Sequence, residues 1–135
     1  MTDPEIQLIA NLVVQREDGR VLLVRYDPAG ESDGPDAPVR WWLPGQQLRP
    51  YEHPDDVARD ALAEIDGLTV TDVALAGVQS FRGRRGWHVS FDYRVTASGE
   101  PTGAGVPGRW CDPTDLPRTM HGAWERATID RVLSR

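Results

Sequence analysis

The sequence has no lysine and only one cysteine, Cys111, among its 135 residues. A single cysteine excludes a disulfide within the chain and a zinc site built from several cysteines. The 15 basic residues, all arginine, are outnumbered by 21 acidic ones, which gives a net charge of −6. Because phosphate polyanions attract basic surfaces, this balance argues against a general binder of nucleic acid or of anionic membranes.

Long hydrophobic runs are also missing. The longest apolar stretch, residues 8–14, is interrupted by Asn11 and is far too short to cross a bilayer. Residues 1–5 are acidic and lack the basic start of a signal peptide. We therefore expect a cytoplasmic protein, and the length fits one domain over residues 1–135.

Several apolar segments have the character of strands. Residues 6–15 are rich in β-branched and aliphatic side chains, and residues 21–25 return after the turn signal Asp18-Gly19. Residues 27–38 read as a loop of glycine, proline and aspartate. Further strands are predicted at residues 41–43, stopped by Pro44-Gly45, at 70–80 as one strand or two, and at 88–95 and 109–111.

Two segments have helical spacing. The first is predicted to start at Pro54, run to about Asp66 and stop at Gly67, because proline favours the first helical position and glycine a left-handed cap. The second covers residues 124–133. Strands alternating with helices predict an α/β sandwich with a mixed sheet. The predicted inward-facing residues are Val57, Ala58, Ala61, Leu62 and Ile65 in the first helix, and Ala127, Ile129, Val132 and Leu133 in the second.

Residues 43–68, LPGQQLRPYEHPDDVARDALAEIDGL, resemble the Nudix box, G-x5-E-x7-R-E-U-x-E-E-x-G-U with U aliphatic. Placing the first box glutamate on Glu52 brings the closing Gly67-Leu68 into register without a gap. An aromatic-Leu-Pro-Gly lead-in, the W-x-D-P-x-x-L-P run at 110–117 and the last helix also match the family. The resemblance covers nearly the whole chain and implies a MutT-like Nudix α/β/α sandwich.

The box departs from the family pattern where the family binds metal. Glu52 and Glu64 keep the family's glutamates, and Gly45 remains just before the first box position. The departures are Gln46 for the first glycine, Asp60 for the arginine, and Ala61 and Ile65 for two glutamates.

The resemblance implies hydrolysis of a diphosphate bond with Mg²⁺ or Mn²⁺ held by helix carboxylates. Positions 61, 64 and 65 are spaced to share one helix face, on which only Glu64 is acidic. We therefore expect one cation that enters with the substrate. Glu52 and Glu64 are the catalytic candidates, and Glu64, Asp60 and Gly45 are the metal candidates. Asp56, Asp60 and Glu64 form a second acidic series, either a relocated metal site or a solvated stripe.

Candidate substrate-binding residues lie in a basic turn. Arg82, Arg84 and Arg85 can grip phosphate, since guanidinium groups fit phosphate oxygens, or can simply form a basic surface hairpin. Trp87 and Trp41 offer stacking surfaces for a base, or belong to the core.

Three hypotheses about function follow. The first is a Mg²⁺-dependent Nudix-type hydrolase of a nucleoside-diphosphate-linked small molecule, impaired by the box substitutions. The second is a non-hydrolytic nucleotide-binding domain acting as a sensor or partner subunit, and the third is a repurposed metal-independent enzyme. The expected partner is a phosphorylated small molecule rather than nucleic acid or membrane, and the family's tendency to dimerise adds a homodimer as an option.

Overall fold

The structure, a computed structural model, describes residues 5–26, 40–83, 86–119 and 122–134. Six strands and two helices lie within these residues. In chain order they are β1 Ile6–Gln15, β2 Val21–Val24, β3 Gly45–Gln47, α1 Pro54–Ala63, β4 Leu68–Gly83, β5 Gly86–Gly99, β6 Gly108–Cys111 and α2 Ala123–Leu133.

The six strands form one mixed sheet in the order β4-β5-β1-β2-β6, and β3 pairs with β1. The β1–β5 pair is parallel, with Ile6 opposite Trp87, and the other pairs are antiparallel. β1 turns into β2 at Gly19, whose φ of 88° suits glycine, and the Arg16 N–H donates to the Arg20 carbonyl. The predicted hairpin is therefore confirmed, although β2 ends one residue early.

Side chains alternate across the sheet and divide the core into two clusters. Ala10, Leu12 and Val14 of β1 belong to the cluster that contains the buried side chains of α1. Val13 of β1 belongs to the second cluster, which contains Ile129 of α2. The two helices therefore cover opposite faces, which confirms the predicted α/β sandwich with a mixed sheet.

α1 begins as predicted but ends three residues before Asp66. The His53 side chain accepts a hydrogen bond from the Asp55 N–H, 3.0 Å, and Pro54 follows this cap. At the other end, the Glu64 carbonyl accepts from the Val106 N–H and the Asp66 carbonyl from the Thr102 N–H, each at 2.9 Å. A later loop therefore supplies hydrogen bonds to the carbonyls that follow the helix.

The prediction for residues 41–43 is wrong. Trp41 and Trp42 form only isolated bridges, to Thr119 and Val24, and the strand in this region is β3, which starts at Gly45. The Leu12 N–H of β1 donates to the Pro44 carbonyl at 2.8 Å. This bond joins the chain to the sheet at Pro44-Gly45, where the sequence predicted the end of a strand. The predicted loop at 27–38 lies outside the described residues.

The remaining elements agree with the prediction more closely. The predicted segment 70–80 lies within a single strand, β4. β6 and α2 each begin one residue before the predicted start. In α2, Ile129 and Val132 are buried as expected, whereas Ala127 is exposed and the polar Glu125 and Thr128 are buried. Among the described residues, no helix is long and apolar enough to span a membrane.

Candidate active site

Glu64, the surviving carboxylate on the helix, lies directly after the last residue of α1. Its Oε1 accepts a hydrogen bond of 2.8 Å from Nε2 of Gln46 in β3, and this hydrogen bond is exposed to solvent. Gln46 occupies the box position of the first family glycine. The contact therefore exists only because this chain has a side chain at that position.

Gly45 is clamped by a tyrosine that the sequence did not indicate. The Tyr26 hydroxyl donates to the Gly45 carbonyl at 3.0 Å and accepts from the Gly45 N–H at 2.9 Å. Burial raises the pKa of Tyr26, the hydrogen bond from Gly45 opposes this shift, and the charge of Glu64 adds to it. The hydroxyl therefore stays protonated and occupies one lone pair of the carbonyl expected to bind metal.

Gly45 also has a structural reason to be glycine. A Cβ atom at this position would lie 2.5 Å from the Ala10 carbonyl oxygen and 3.0 Å from Oδ1 of Asn11. The backbone of β3 approaches β1 too closely for any side chain there. The glycine is needed for packing whether or not metal binds nearby.

Positions 61, 64 and 65 of the box differ in their exposure. Ala61 is 0% exposed and Ile65, which follows the helix, is 3% exposed, and both belong to the core cluster beneath α1. The prediction that these two residues face inward is therefore confirmed. Glu64 is the exposed residue of the three.

The acidic series on α1 lies in solvent. Asp56, Asp60 and Glu64 are exposed. Over the described parts of the chain, no three His, Cys, Asp or Glu side chains gather into a group that could hold a metal ion. Glu64 is thus a single exposed carboxylate beside β3. One carboxylate suits an ion that takes its other ligands from water and substrate phosphate.

Glu52 lies in the turn before α1. Its Oε1 accepts the Arg49 N–H at 2.6 Å, and its own N–H donates to the Arg49 carbonyl at 3.1 Å. Tyr51, between them, has a φ of 70° and is fully exposed. The carboxylate of Glu52 therefore closes this turn and remains at the surface.

The basic turn lies between β4 and β5. Arg82 is exposed and pairs across the hairpin with Trp87, which is 46% exposed. Arg84 and Arg85 lie outside the described residues. Trp87 is opposite Ile6, whereas Gln46 is opposite Ala10, so the hairpin and Gln46 are separated by roughly 13 Å along β1.

Trp41 belongs to the side of the sheet covered by α2. It packs against the core cluster there, and the Arg25 guanidinium lies 5.8 Å from its ring centroid. Trp41 and Glu64 are thus associated with opposite faces of the sheet. The structure therefore does not place all the predicted site residues together.

A family model described as NUDIX domain matches residues 6–132. A MutT NUDIX hydrolase from Burkholderia pseudomallei superposes with a TM-score of 0.69 at 21% identity, covering 95% of this chain and 98% of that one. A MutT protein from Methanosarcina mazei Go1 gives 0.65 at 16% identity, covering 99% and 97%.

A third similar structure is a UDP-X diphosphatase, with a TM-score of 0.71 at 15% identity, covering 99% of this chain and 64% of that one. At such identities the structural likeness shows the fold alone. None of the curated proteins matches the sequence significantly.

Proposed function

Because the chain belongs to the NUDIX domain family, we propose that it hydrolyses a nucleoside-diphosphate-linked small molecule, at a rate lowered by the substitutions in the box. The observation that carries the proposal is the position of Glu64. Its carboxylate is exposed and accepts a hydrogen bond from Gln46 of β3, the strand that begins at Gly45. This is the part of the box in which the expected metal ligands, Glu64 and Gly45, remain.

A divalent cation such as Mg²⁺ or Mn²⁺, bound with the substrate, would neutralise charge on the phosphate oxygens. Glu64 and the Gly45 carbonyl would hold it, with Asp60 as a further exposed carboxylate on α1. Glu52 is the candidate to accept a proton from the attacking water. The location of such a reaction would be the cytoplasm, where nucleotides are abundant.

The substrate would be held by groups away from Glu64. Arg82, with Arg84 and Arg85 of the same turn, would contact phosphate oxygens, and the exposed ring of Trp87 would stack on a base. A separation of roughly 13 Å along β1 favours an elongated substrate. This supports a diphosphate that carries groups on both sides over a compact anion. Trp41 remains a weaker stacking candidate, because Arg25 already covers its ring.

A specific observation favours non-hydrolytic binding as a second candidate. The Gln46 amide already donates to Glu64, and the positions of the two missing glutamates are filled by buried Ala61 and Ile65. A domain of this kind would keep the phosphate-binding residues and lose turnover. It would then act as a sensor of a phosphorylated ligand.

A phosphate-release screen distinguishes the two candidates. Nucleotide sugars, dinucleotides and nucleoside triphosphates are incubated with the protein, with and without Mg²⁺ or Mn²⁺. We expect cation-dependent turnover below about 1 s⁻¹, abolished in Glu64→Gln and retained in the control Asp72→Asn, which removes an exposed carboxylate on β4. A ligand-dependent rise in melting temperature without turnover would favour the binding domain. Turnover that Glu64→Gln leaves unchanged would contradict the proposed site.

A further inference from the structure

Three arginines from separate parts of the chain line one cavity on the side of the sheet covered by α2. The cavity has a volume of about 510 Å³. Its lining residues are Arg40, Leu116, Pro117, Arg118, Thr119, Gly122, Ala123 and Arg126.

Backbone contacts hold the walls of this arginine cavity together. The Trp41 N–H donates to the Arg118 carbonyl at 3.0 Å, and Trp41 pairs with Thr119 in a parallel bridge. Arg126 lies one turn into α2, three residues after Ala123. The cavity is therefore formed by secondary structure as well as by flexible side chains.

The charge of the arginine cavity opposes that of the chain. The protein carries a net charge of −6, yet no acidic side chain is found among the described residues that line the cavity. The neighbouring carboxylate of Glu125 is 1% exposed and accepts from the Thr119 hydroxyl at 3.4 Å. The described residues that line the cavity thus contribute three guanidinium groups and no carboxylate.

Backbone donors add to this positive region. α2 begins beside the cavity, and its cap residue, Gly122, provides no side-chain hydrogen bond to the first turn. The N–H groups of a first helical turn have no partner within the helix, and together with the helix dipole they favour an anion. They act here in addition to the three arginines, which carry the argument.

We propose that the arginine cavity binds a phosphate group, as a site separate from Glu64. A phosphate monoester offers several oxygens to the forked donors of arginine, and its negative charge is attracted to guanidinium groups. Leu116 of the cavity packs in the cluster beneath α2, whereas Gln46 is opposite Ala10 of the cluster beneath α1. The site is thus available to a phosphorylated ligand without a metal ion.

The test is calorimetric titration of the protein with inorganic phosphate and with pyrophosphate, in EDTA and at low ionic strength. We expect saturable binding that weakens as salt is added. The double variant Arg118→Gln/Arg126→Gln should lose affinity about tenfold or more. The control Arg109→Gln removes one exposed arginine of β6 that does not line the cavity, and should bind as the wild type does.

Two further measurements keep the result interpretable. Melting curves of the variants should match that of the wild type, since exposed substitutions change stability little. Arg126→Glu, which inverts one charge, should weaken binding more than Arg126→Gln. Absence of saturable phosphate binding in the wild type, or equal affinity in the double variant, would overturn the proposal. The titration contains no divalent cation and no nucleoside-diphosphate substrate, and the double variant leaves Glu64 and Arg82 unchanged, so its outcome does not depend on the proposed hydrolysis.

Discussion

The Gln46 side-chain amide donates a 2.8 Å hydrogen bond to the carboxylate of Glu64. The residue that replaces the first box glycine therefore contacts the helix glutamate that survives in the box. A cation at Glu64 would compete with this amide. The substitution at position 46 thus acts on the same group as the loss of the two neighbouring glutamates.

Gln46→Gly should release Glu64 and raise Mg²⁺-dependent diphosphate hydrolysis. A hydrogen bond to a charged group contributes about 1.5–3 kcal/mol, and its solvent exposure lowers this value. We therefore expect an increase of up to about tenfold, about 1.4 kcal/mol in the barrier. The control Gln47→Gly removes the neighbouring amide, which contacts Gln7. Equal rates in both variants would show that the amide does not restrain Glu64.

Tyr26→Phe should destabilise the protein through Gly45. The variant removes a hydroxyl that bonds both the N–H and the carbonyl of Gly45, at a half-buried position. The expected loss is about 1–3 kcal/mol in the free energy of unfolding, measured by urea denaturation. Tyr51→Phe is the matched control, because Tyr51 is fully exposed, and should be neutral. A neutral Tyr26→Phe would mean that solvent replaces the hydroxyl at no cost.

Much of the fold could be predicted from local patterns. The β-branched and aliphatic composition of residues 6–15, the Asp18-Gly19 turn and the helix start at Pro54 depend on neighbouring residues, and all three are confirmed. The end of α1 was missed because the carbonyls of Glu64 and Asp66, just after the helix, accept hydrogen bonds from Val106 and Thr102, about forty residues further along the chain.

Less of the candidate site could be predicted, for the same reason. Alignment with the family box identified Glu64 and Gly45 in the sequence, but it did not identify the residues that contact them. Tyr26 follows β2, and its hydrogen bonds to Gly45 depend on how close the end of β2 lies to β3 in the folded chain. The arginine cavity unites Arg40 with Arg118, two residues that no sequence motif connects.

Ile65→Glu tests whether the family's glutamate fits at this position. Ile65 is 3% exposed in the core cluster beneath α1, so a carboxylate there would lose its hydration. We expect a loss of about 2–5 kcal/mol in the free energy of unfolding, from the missing apolar contacts and the buried charge. The control Ile6→Glu changes a half-exposed isoleucine and should be close to neutral. Equal stability of the two variants, with a gain in Mg²⁺ affinity, would show that position 65 opens onto the candidate active site.

Asp92 carries a carboxylate that is buried beneath α2. It is 2% exposed, and it accepts hydrogen bonds from the Ser90 hydroxyl and from Nε2 of Gln79, while Arg131 lies 4.0 Å away. Burial raises the pKa of Asp92, and the hydrogen bonds and the charge of Arg131 oppose this shift only in part.

A raised pKa in the folded state means that the native protein binds the Asp92 proton more readily than the unfolded chain does. The contribution of Asp92 to stability is therefore fully present below the ordinary carboxyl pKa and is lost as the pH rises through the raised value. Asp92→Asn removes this titration, so the difference in unfolding free energy between wild type and variant should shift against the wild type as the pH rises. Urea denaturation at a series of pH values measures it. Asp112→Asn is the control of opposite sign, because hydrogen bonds from Thr114 lower the pKa of Asp112 and its contribution is lost as the pH falls. A difference between wild type and Asp92→Asn that is independent of pH would show that Asp92 has the same pKa in the folded and unfolded states.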